Sequence, residues 1–296
     1  MFDLHRLRLL HEFALRGTIA DVAAALSYSA STVSQHLSLL EREAGAPLFE
    51  PDGRRMRLTA HGRLLAEHAA RAIEADEAIA LELQSSPRTR PLVRIAVMPT
   101  AAEALVPHAL SLLADRLPHL RVEMTERAPE EALFELAART FDLVVAEQYP
   151  GHTRELRPGI VRELLGSDPI RLVLPPGDDA ASLADLRDRP WVMEPAGTAV
   201  HQWSVQQCRA AGFEPDVRHV ATDLIAHVRL VAAGHAVALL PDLVWSGERD
   251  SVRLVDLPEA PVREIFAAMR SSSRESVAVT AVRQALGDAL AAHQTG

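Results

Sequence analysis

The segment from Thr18 to Leu58 constrains this chain more than any other. Thr18–Leu26 reads as a short capped helix, Ser27-Tyr28-Ser29 as a tight turn, and Ala30–Glu43 as a second, amphipathic helix. In that second helix Val33, Leu37 and Leu40 recur at i, i+4 and i+7 and must face inward. Ala30, Ser31, Thr32, Ser34, Gln35 and Ser38 are then left on the outer face. Leu48-Phe49 and Arg54-Arg55-Met56-Arg57-Leu58, set around Pro51-Asp52-Gly53, read as a two-stranded wing. A helix pair with a slim polar face beside an Arg-rich hairpin has the shape that enters a DNA major groove.

The flanking residues support that unit. Leu4–Arg16 is expected as a helix with Leu7, Leu10, Phe13 and Ala14 on one face, ended by Gly17. Thr18 is a good N-cap with Asp21 as its capping-box partner, and Val22, Ala23 and Leu26 form the inner face of the next helix. Gly45-Ala46-Pro47 stops the third helix. Thr59 caps a long helix reaching about Ser85. In it Leu65, Ala69, Ala72, Asp76, Ile79 and Leu83 alternate spacings of four and three, a thin coiled-coil seam whose natural partner is the same helix in a second copy. The stretch from Ser85 to Pro91 is a short polar hinge.

Beyond Leu92 strands alternate with helices. Strands are expected at Val93–Val97, Leu120–Met124, Asp142–Val145, Ile170–Leu174, Trp191–Met193, Val217–Val220, Ala236–Leu240 and Ser251–Ala267, and a helix closes the chain from Ser276 to His293. Chain crossings near Gly166–Asp168 and Pro261–Phe266 imply two lobes with a cleft between them.

Bulk properties narrow the functional classes. Net charge is −9, and since residues 1–90 are nearly balanced, any contact with nucleic acid must come from a local patch. The basic residues are all Arg, a bias consistent with GC-rich coding DNA. No apolar run is long enough to span a membrane, and Met1-Phe2-Asp3-Leu4-His5-Arg6 does not begin a secretory signal, so a cytoplasmic protein is expected. Cys208 is the one cysteine and is expected to be a buried, inert thiol.

The residues resemble the LysR-type transcriptional regulators. The matching positions are Leu7, Leu10, Gly17-Thr18, Ala23, Leu26, Ser29, Val33-Ser34, Leu37, Leu40-Glu41, Gly45, Pro47-Leu48-Phe49, Gly53-Arg54-Arg55, Leu58-Thr59 and Gly62. The resemblance implies an α+β multidomain chain. Its parts would be an N-terminal winged helix-turn-helix (1–58), a linker and dimerisation helix with a hinge (59–90), and a C-terminal α/β effector domain (91–296), two-lobed like periplasmic binding proteins. Lobe I would take about 91–166 and 267–296, lobe II about 167–266. A homodimer, assembled further into a tetramer as a dimer of dimers, is implied as well, with an inverted-repeat operator and RNA polymerase as possible partners. Where the family tends to carry Gln-Pro after the turn serine this chain has Ala30-Ser31, and where it favours Arg this chain has Gln35. Gln suits the adenine edge and Arg the guanine edge, so the bases read here are expected to differ from those of relatives.

Two working surfaces follow. On the DNA side, Gln35 is the expected base reader, with Ser31, Thr32, Ser34 and Ser38 on phosphates or thymine methyls. Arg54 and Arg55, joined by Arg57, would set the wing on phosphate or in the minor groove. On the effector side, loops at the carboxyl ends of strands should line the cleft. Thr100 and Ala101 would open a helix whose free N–H groups could hold a carboxylate, and Thr198 and Thr222 offer further hydroxyls. Glu147, Glu194 and Asp223 add negative charge, which suits an amino-acid-like effector bearing an amine as well as a carboxylate.

The rival classes are a cytoplasmic small-molecule-binding protein and an enzyme on the same two-lobed fold, and more remotely a DNA-architectural protein. His219, His227 and His235 lie eight apart and share no helix face; there is no H-E-x-x-H motif, P-loop, G-x-S-x-G or G-x-G-x-x-G after a strand. No cofactor and no metal site is therefore expected, and the 90 residues before the βα region separate the chain from a plain solute-binding protein.

Overall fold

The computed structural model describes every residue except 27, 54, 85–90, 155, 156, 158, 246–250 and 296; for 78, 80–84 and 295 it describes the backbone alone. Contacts divide the chain into two compact units, Met1–Thr89 with Ser271–Ser273, and Arg90–Arg270 with Arg274–Gly296.

The first unit begins with α1 (Leu4–Arg16), α2 (Ile19–Leu26) and α3 (Ala30–Ala44). Asp3 caps α1 by accepting from the Arg6 N–H at 3.0 Å, and Gly17 ends it at φ 80°, a backbone conformation that glycine adopts without strain. Leu7, Leu10 and Phe13 are buried as the periodicity requires, but Ala14 is exposed, and Leu9 and Glu12 take the core positions instead. Glu12 is tied to Arg16 at 2.8 Å, so its burial does not leave an isolated charge. Thr18 caps α2 by accepting from the Asp21 N–H at 3.1 Å, and its hydroxyl donates to the Asp21 carboxylate at 2.5 Å. Val33, Leu37 and Leu40 of α3 are buried against α1 and α2.

The hairpin is β1 (Phe49–Asp52) and β2 (Arg55–Leu58), with Phe49 opposite Leu58. Phe49 meets Phe13 edge-on at 5.2 Å, and Glu41 Oε1 accepts from the Leu48 and Phe49 N–H groups, so the base of the wing is fixed to α1 and α3. The long helix is α4 (Ala60–Gln84), capped by the Thr59 hydroxyl, which accepts from the Gly62 N–H at 3.0 Å. A Cβ on Gly62 would lie 2.1 Å from the Leu48 carbonyl oxygen, so only glycine permits this approach of α4 to the wing.

The seam expected on α4 is only partly available to another chain. Leu65 and Ala69 are buried in the core of their own unit, along with Ala66 and Ile73. Heptad spacing cannot distinguish packing on a second copy from packing on α1, and here α1 takes the first turns. Among the described side chains of α4, Leu64 and Ile79, 63% and 57% exposed, are the large apolar ones that face outward. The Leu83 side chain and the hinge at 85–90 lie outside the described residues.

The second unit is built on a sheet ordered β10 (Arg253–Asp256), β6 (Ile160–Leu174), β11 (Val262–Arg270), β5 (Leu143–Gln148), β3 (Leu92–Val97) and β4 (Arg121–Glu126). Its first part alternates β3 (Leu92–Val97), α5 (Pro99–Ala104), α6 (Val106–Arg116), β4 (Arg121–Glu126), α7 (Pro129–Ala137) and β5 (Leu143–Gln148). β3 pairs in parallel with both β4 and β5, as βαβ connections require. β6 (Ile160–Leu174) then runs through both lobes. Its first part pairs antiparallel with β11 (Val262–Arg270), its last part with β10 (Arg253–Asp256) and β9 (Ala238–Pro241). The second lobe adds β7 (Pro190–Met193), α8 (Ala199–Ala210), β8 (Asp216–Val220) and α9 (Leu224–Ala232), and α10 (Val277–Thr295) closes the chain on the first.

Two expectations are corrected here. The strand expected at Ile170–Leu174 begins ten residues earlier, at Ile160, and the one expected over Ser251–Ala267 is two strands. The turn between β10 and β11 holds Glu259 and Ala260 at positive φ, 65° and 44°. Both lobes have apolar cores of their own, one around Ile95, Leu143 and Leu286, another around Leu172, Trp191 and Trp203.

Candidate DNA-reading surface and effector cleft

The outer face of α3 is polar because its apolar residues are consumed inward. Ser31, Ser34, Gln35 and Ser38 are exposed, whereas Thr32 is half-buried. Ser29 caps α3 by accepting from the Thr32 N–H at 3.1 Å, and its hydroxyl lies 2.8 Å from those of Ser31 and Thr32. These two hydroxyls therefore belong to the cap, while Ser34, Gln35 and Ser38 carry no such tie among the described residues. Ser34 and Ser38 line a groove of about 330 Å³ with Glu50, Pro51, Arg55 and Met56 of the wing. α3 and the wing thus face a common hollow. Arg55 is exposed, Arg57 is paired with Glu50 at 3.0 Å, and Arg54 lies outside the described residues.

In the second unit the most buried polar cluster sits where β6 and β11 cross between lobes. Arg263 of β11 lies opposite Asp168 of β6 in the ladder. Its Nε donates to Asp168 Oδ2 at 2.9 Å and its Nη2 to the Thr100 hydroxyl at 2.8 Å. The other carboxylate oxygen of Asp168 accepts from the Leu243 N–H at 3.1 Å. Burial alone would lower the guanidinium's pKa, but Tyr149, Asp168 and Glu147 around it leave it raised, so Arg263 stays charged.

Beside this pair the structure brings together Glu147 and Glu194. Glu147 follows the buried run of β5, and its Oε2 is buried with no hydrogen-bond partner among the described residues. Burial raises its pKa, against the opposing charges of Arg263 and Arg154. Glu194 follows β7; burial first, then the charge of Glu147, pushes its carboxyl up to about 7. Tyr149, whose phenol pKa burial raises as well, has its ring 5.8 Å from that of Trp203 in a tilted arrangement. Between Tyr149, Glu194, Ser204 and His227 is a cavity of about 10 Å³, enough for one water.

The other expected effector residues are placed differently. Thr100 and Ala101 are buried, and the Ala101 and Ala102 N–H groups both donate to Met98 O. Two of the N–H groups expected to be free there for a carboxylate are thus taken up; α5 has only six residues, and the Thr100 hydroxyl serves Arg263. Thr198 caps α8, accepting from the His201 N–H at 3.2 Å and donating to Pro195 O at 3.1 Å. Thr222 and Asp223 are exposed at the start of α9, where Asp223 accepts from the Ile225 N–H at 2.8 Å. Asp223 and Glu126 raise the pKa of Glu103, after its partial burial. His227 is a core residue with Nε2 2.9 Å from Ala221 O. Among the described residues no group of His, Cys, Asp and Glu has the makings of a metal site, and no helix is long and apolar enough to cross a membrane.

Sequence reasoning missed Arg263, Asp168 and Tyr149. Asp168 and Arg263 lay in the segments read as crossings, and a charged residue at each of two crossings was the available signal.

Comparison with known proteins agrees with this geometry. Residues 4–63 match the bacterial regulatory helix-turn-helix protein, lysR family, and residues 86–291 match the LysR substrate binding domain. The chain is 27% identical over 251 residues to the transcriptional dual regulator GltC of Bacillus subtilis, covering 82% of each chain. It is 29% identical over 279 residues to a probable hydrogen peroxide-inducible genes activator of Mycobacterium avium, covering 90% of this chain and 88% of that one. Among solved structures, a full-length OxyR variant from Pseudomonas aeruginosa superimposes with a TM-score of 0.66 at 19% identity, covering 97% and 98% of the two chains. Full-length BenM does so with a TM-score of 0.58 at 20% identity, covering 99% and 98%. These relatives are regulators of transcription and not enzymes. The chain belongs to the LysR family: it is a LysR-type transcriptional regulator with a helix-turn-helix for DNA and a two-lobed domain for a small-molecule effector.

Proposed function

We propose that the chain reads an inverted-repeat operator with Gln35, Ser34 and Ser38 of α3, helped by Ser31 and Thr32, while Arg54 and Arg55 seat the wing on the backbone. What carries this reading is the hollow shared by Ser34, Ser38 and Arg55, with no large apolar side chain among the outward residues of α3. Residues 59–90 serve as linker, and the exposed Leu64 and Ile79 on α4 support pairing with a second copy, two such dimers forming a tetramer. The protein works in the cytoplasm, where RNA polymerase is the further partner.

The effector class is the finer part of the proposal. Glu147 and Glu194, both half-buried and coupled by charge, lie beside an Arg263 already engaged by Asp168, so the cleft has carboxylates in excess. A compact ligand with a cationic amine, an amino acid or amine metabolite, satisfies them. With room for only about one water at present, it enters as the lobes part and closes them again.

Peroxide sensing, suggested by the names of several relatives, is not carried over. Cys208 is buried in α8, and burial pushes its thiol up to about 12, so almost no thiolate exists at neutral pH.

Gel shift and footprinting on the DNA upstream of the gene test the operator reading; no preference over random duplex would defeat it. Thermal shift against amines, amino acids and amine-free dicarboxylates tests the effector class. Stabilisation by amine-free ligands alone, lost in Glu194→Gln, would overturn it.

A further inference from the structure

Arg55 and Arg57 of the wing are in different states, and the ladder shows how. β1 and β2 pair with Asp52 opposite Arg55 and Glu50 opposite Arg57. The second couple closes, with Arg57 Nε 3.0 Å from Glu50 Oε1, whereas Arg55 has no ion pair among the described residues.

Glu50 also lines the hollow between α3 and the wing, together with Ser34, Ser38 and Arg55. The other carboxylate of that hollow, Glu41, is turned to the chain: its Oε1 accepts from the Leu48 and Phe49 N–H groups. Glu50 has no backbone tie of that kind among the described residues. With α3 in a major groove and the wing at the neighbouring minor groove, the sugar–phosphate strand between them must run past this hollow.

A carboxylate at that place weakens the grip on DNA in two ways. It occupies the Arg57 guanidinium, and it sets negative charge beside the phosphates. The pair is open to water, its side chains 62% and 43% exposed, so its attraction is screened and a phosphate can compete for Arg57. Each arginine that does neutralise a phosphate releases counterions and tightens binding to every sequence alike. In a chain of net charge −9 the grip on DNA is local, and one acid in the right place can moderate it.

We infer that Glu50 is an electrostatic brake on the wing. By holding Arg57 and facing the phosphate strand it keeps sequence-independent affinity low, which leaves Gln35 and the serines of α3 to determine where the protein stays. The inference rests on the reading of α3 and the wing as the DNA surface, and it makes Glu50 a positioning residue that acts through Arg57.

Fluorescence anisotropy of the full chain on a random-sequence duplex, at several salt concentrations, tests it. Glu50→Gln keeps the shape and removes the charge, and is expected to bind about two- to fivefold more tightly than the parent. Its salt slope should be steeper by about one, so its advantage should grow roughly threefold as salt falls from about 200 to about 50 mM. Most of the gain should vanish in Glu50→Gln/Arg57→Ala, and Arg57→Ala alone should cost less than Arg55→Ala. A pair that merely stapled the hairpin would give the opposite sign: Glu50→Gln would loosen the wing and weaken binding. Thermal melts identify which variants are folded, and Glu50→Ala supplies a second variant with the same expected sign. Weaker or unchanged binding in either folded variant, or a gain that survives undiminished without Arg57, overturns the inference. Failure of the underlying reading looks different, because Gln35→Ala and Arg55→Ala would then leave DNA binding unchanged, and both would fall.

Discussion

Asp168 and Arg263, 95 residues apart, face each other across the β6–β11 ladder as a buried ion pair at 2.8 Å where both strands pass from one lobe to the other. Through Thr100 and Leu243 the pair also reaches α5 of the first lobe and the turn after β9 of the second.

Removing one partner should leave a buried charge unanswered. Arg263→Met or Asp168→Leu is expected to destabilise the effector unit by about 3–5 kcal/mol, and the double variant by much less than the sum. Urea unfolding of the three variants checks this. Additive losses would show that the pair does not act as one.

Glu194 sets a pH dependence. Its folded pKa of about 7 stands above the ordinary 4.5, so the folded chain keeps this proton to higher pH than the unfolded chain does. The carboxyl costs nothing below about pH 4.5, a growing amount as pH rises toward 7, and a constant amount beyond, on the order of 3 kcal/mol at most. Glu194→Gln should match the parent near pH 4.5 and exceed it in stability at pH 8. Melts across that window test the sign, and in the same window an amine should bind more tightly as pH rises.

Gly62→Ala is expected to cost roughly 1–3 kcal/mol in the first unit through overpacking, because the new methyl meets the Leu48 carbonyl. DNA affinity should fall with it, since the wing hangs from Leu48. A thermal melt paired with a gel shift reports both.

Gln35 and Arg55 should separate in DNA binding. Gln35→Ala is expected to relax preference at one base pair per half-site, at about 1–3 kcal/mol. Arg55→Ala should weaken all sequences alike and reduce the salt slope by about one. Fluorescence anisotropy on matched and mismatched duplexes at several salt concentrations distinguishes them; identical profiles would contradict both roles.

What could be read in advance depended on range. Val33, Leu37 and Leu40 announce the buried face of α3 because helix periodicity is local, and Gly17, Gly45 and Thr59 mark the element ends for the same reason. For Leu65 and Ala69 the spacing suits any helical neighbour, and only the fold shows that they pack in the core of their own unit. In the cleft, Glu147 and Glu194 are legible as strand-end acids, but not the charge coupling between them. Thr100 was legible as a strand-end hydroxyl, but its partner comes from a strand 163 residues away. Long-range pairing of polar groups leaves no periodic trace in a sequence.

The continuity of β6 has a mechanical consequence. A fifteen-residue strand shared by two bodies and laced to β11 resists stretching but yields to torsion. On the effector reading proposed above, a molecule lodged beside it would register as an angle, and angle is the quantity that a protein gripping a helical polymer is best able to convert into fit or misfit.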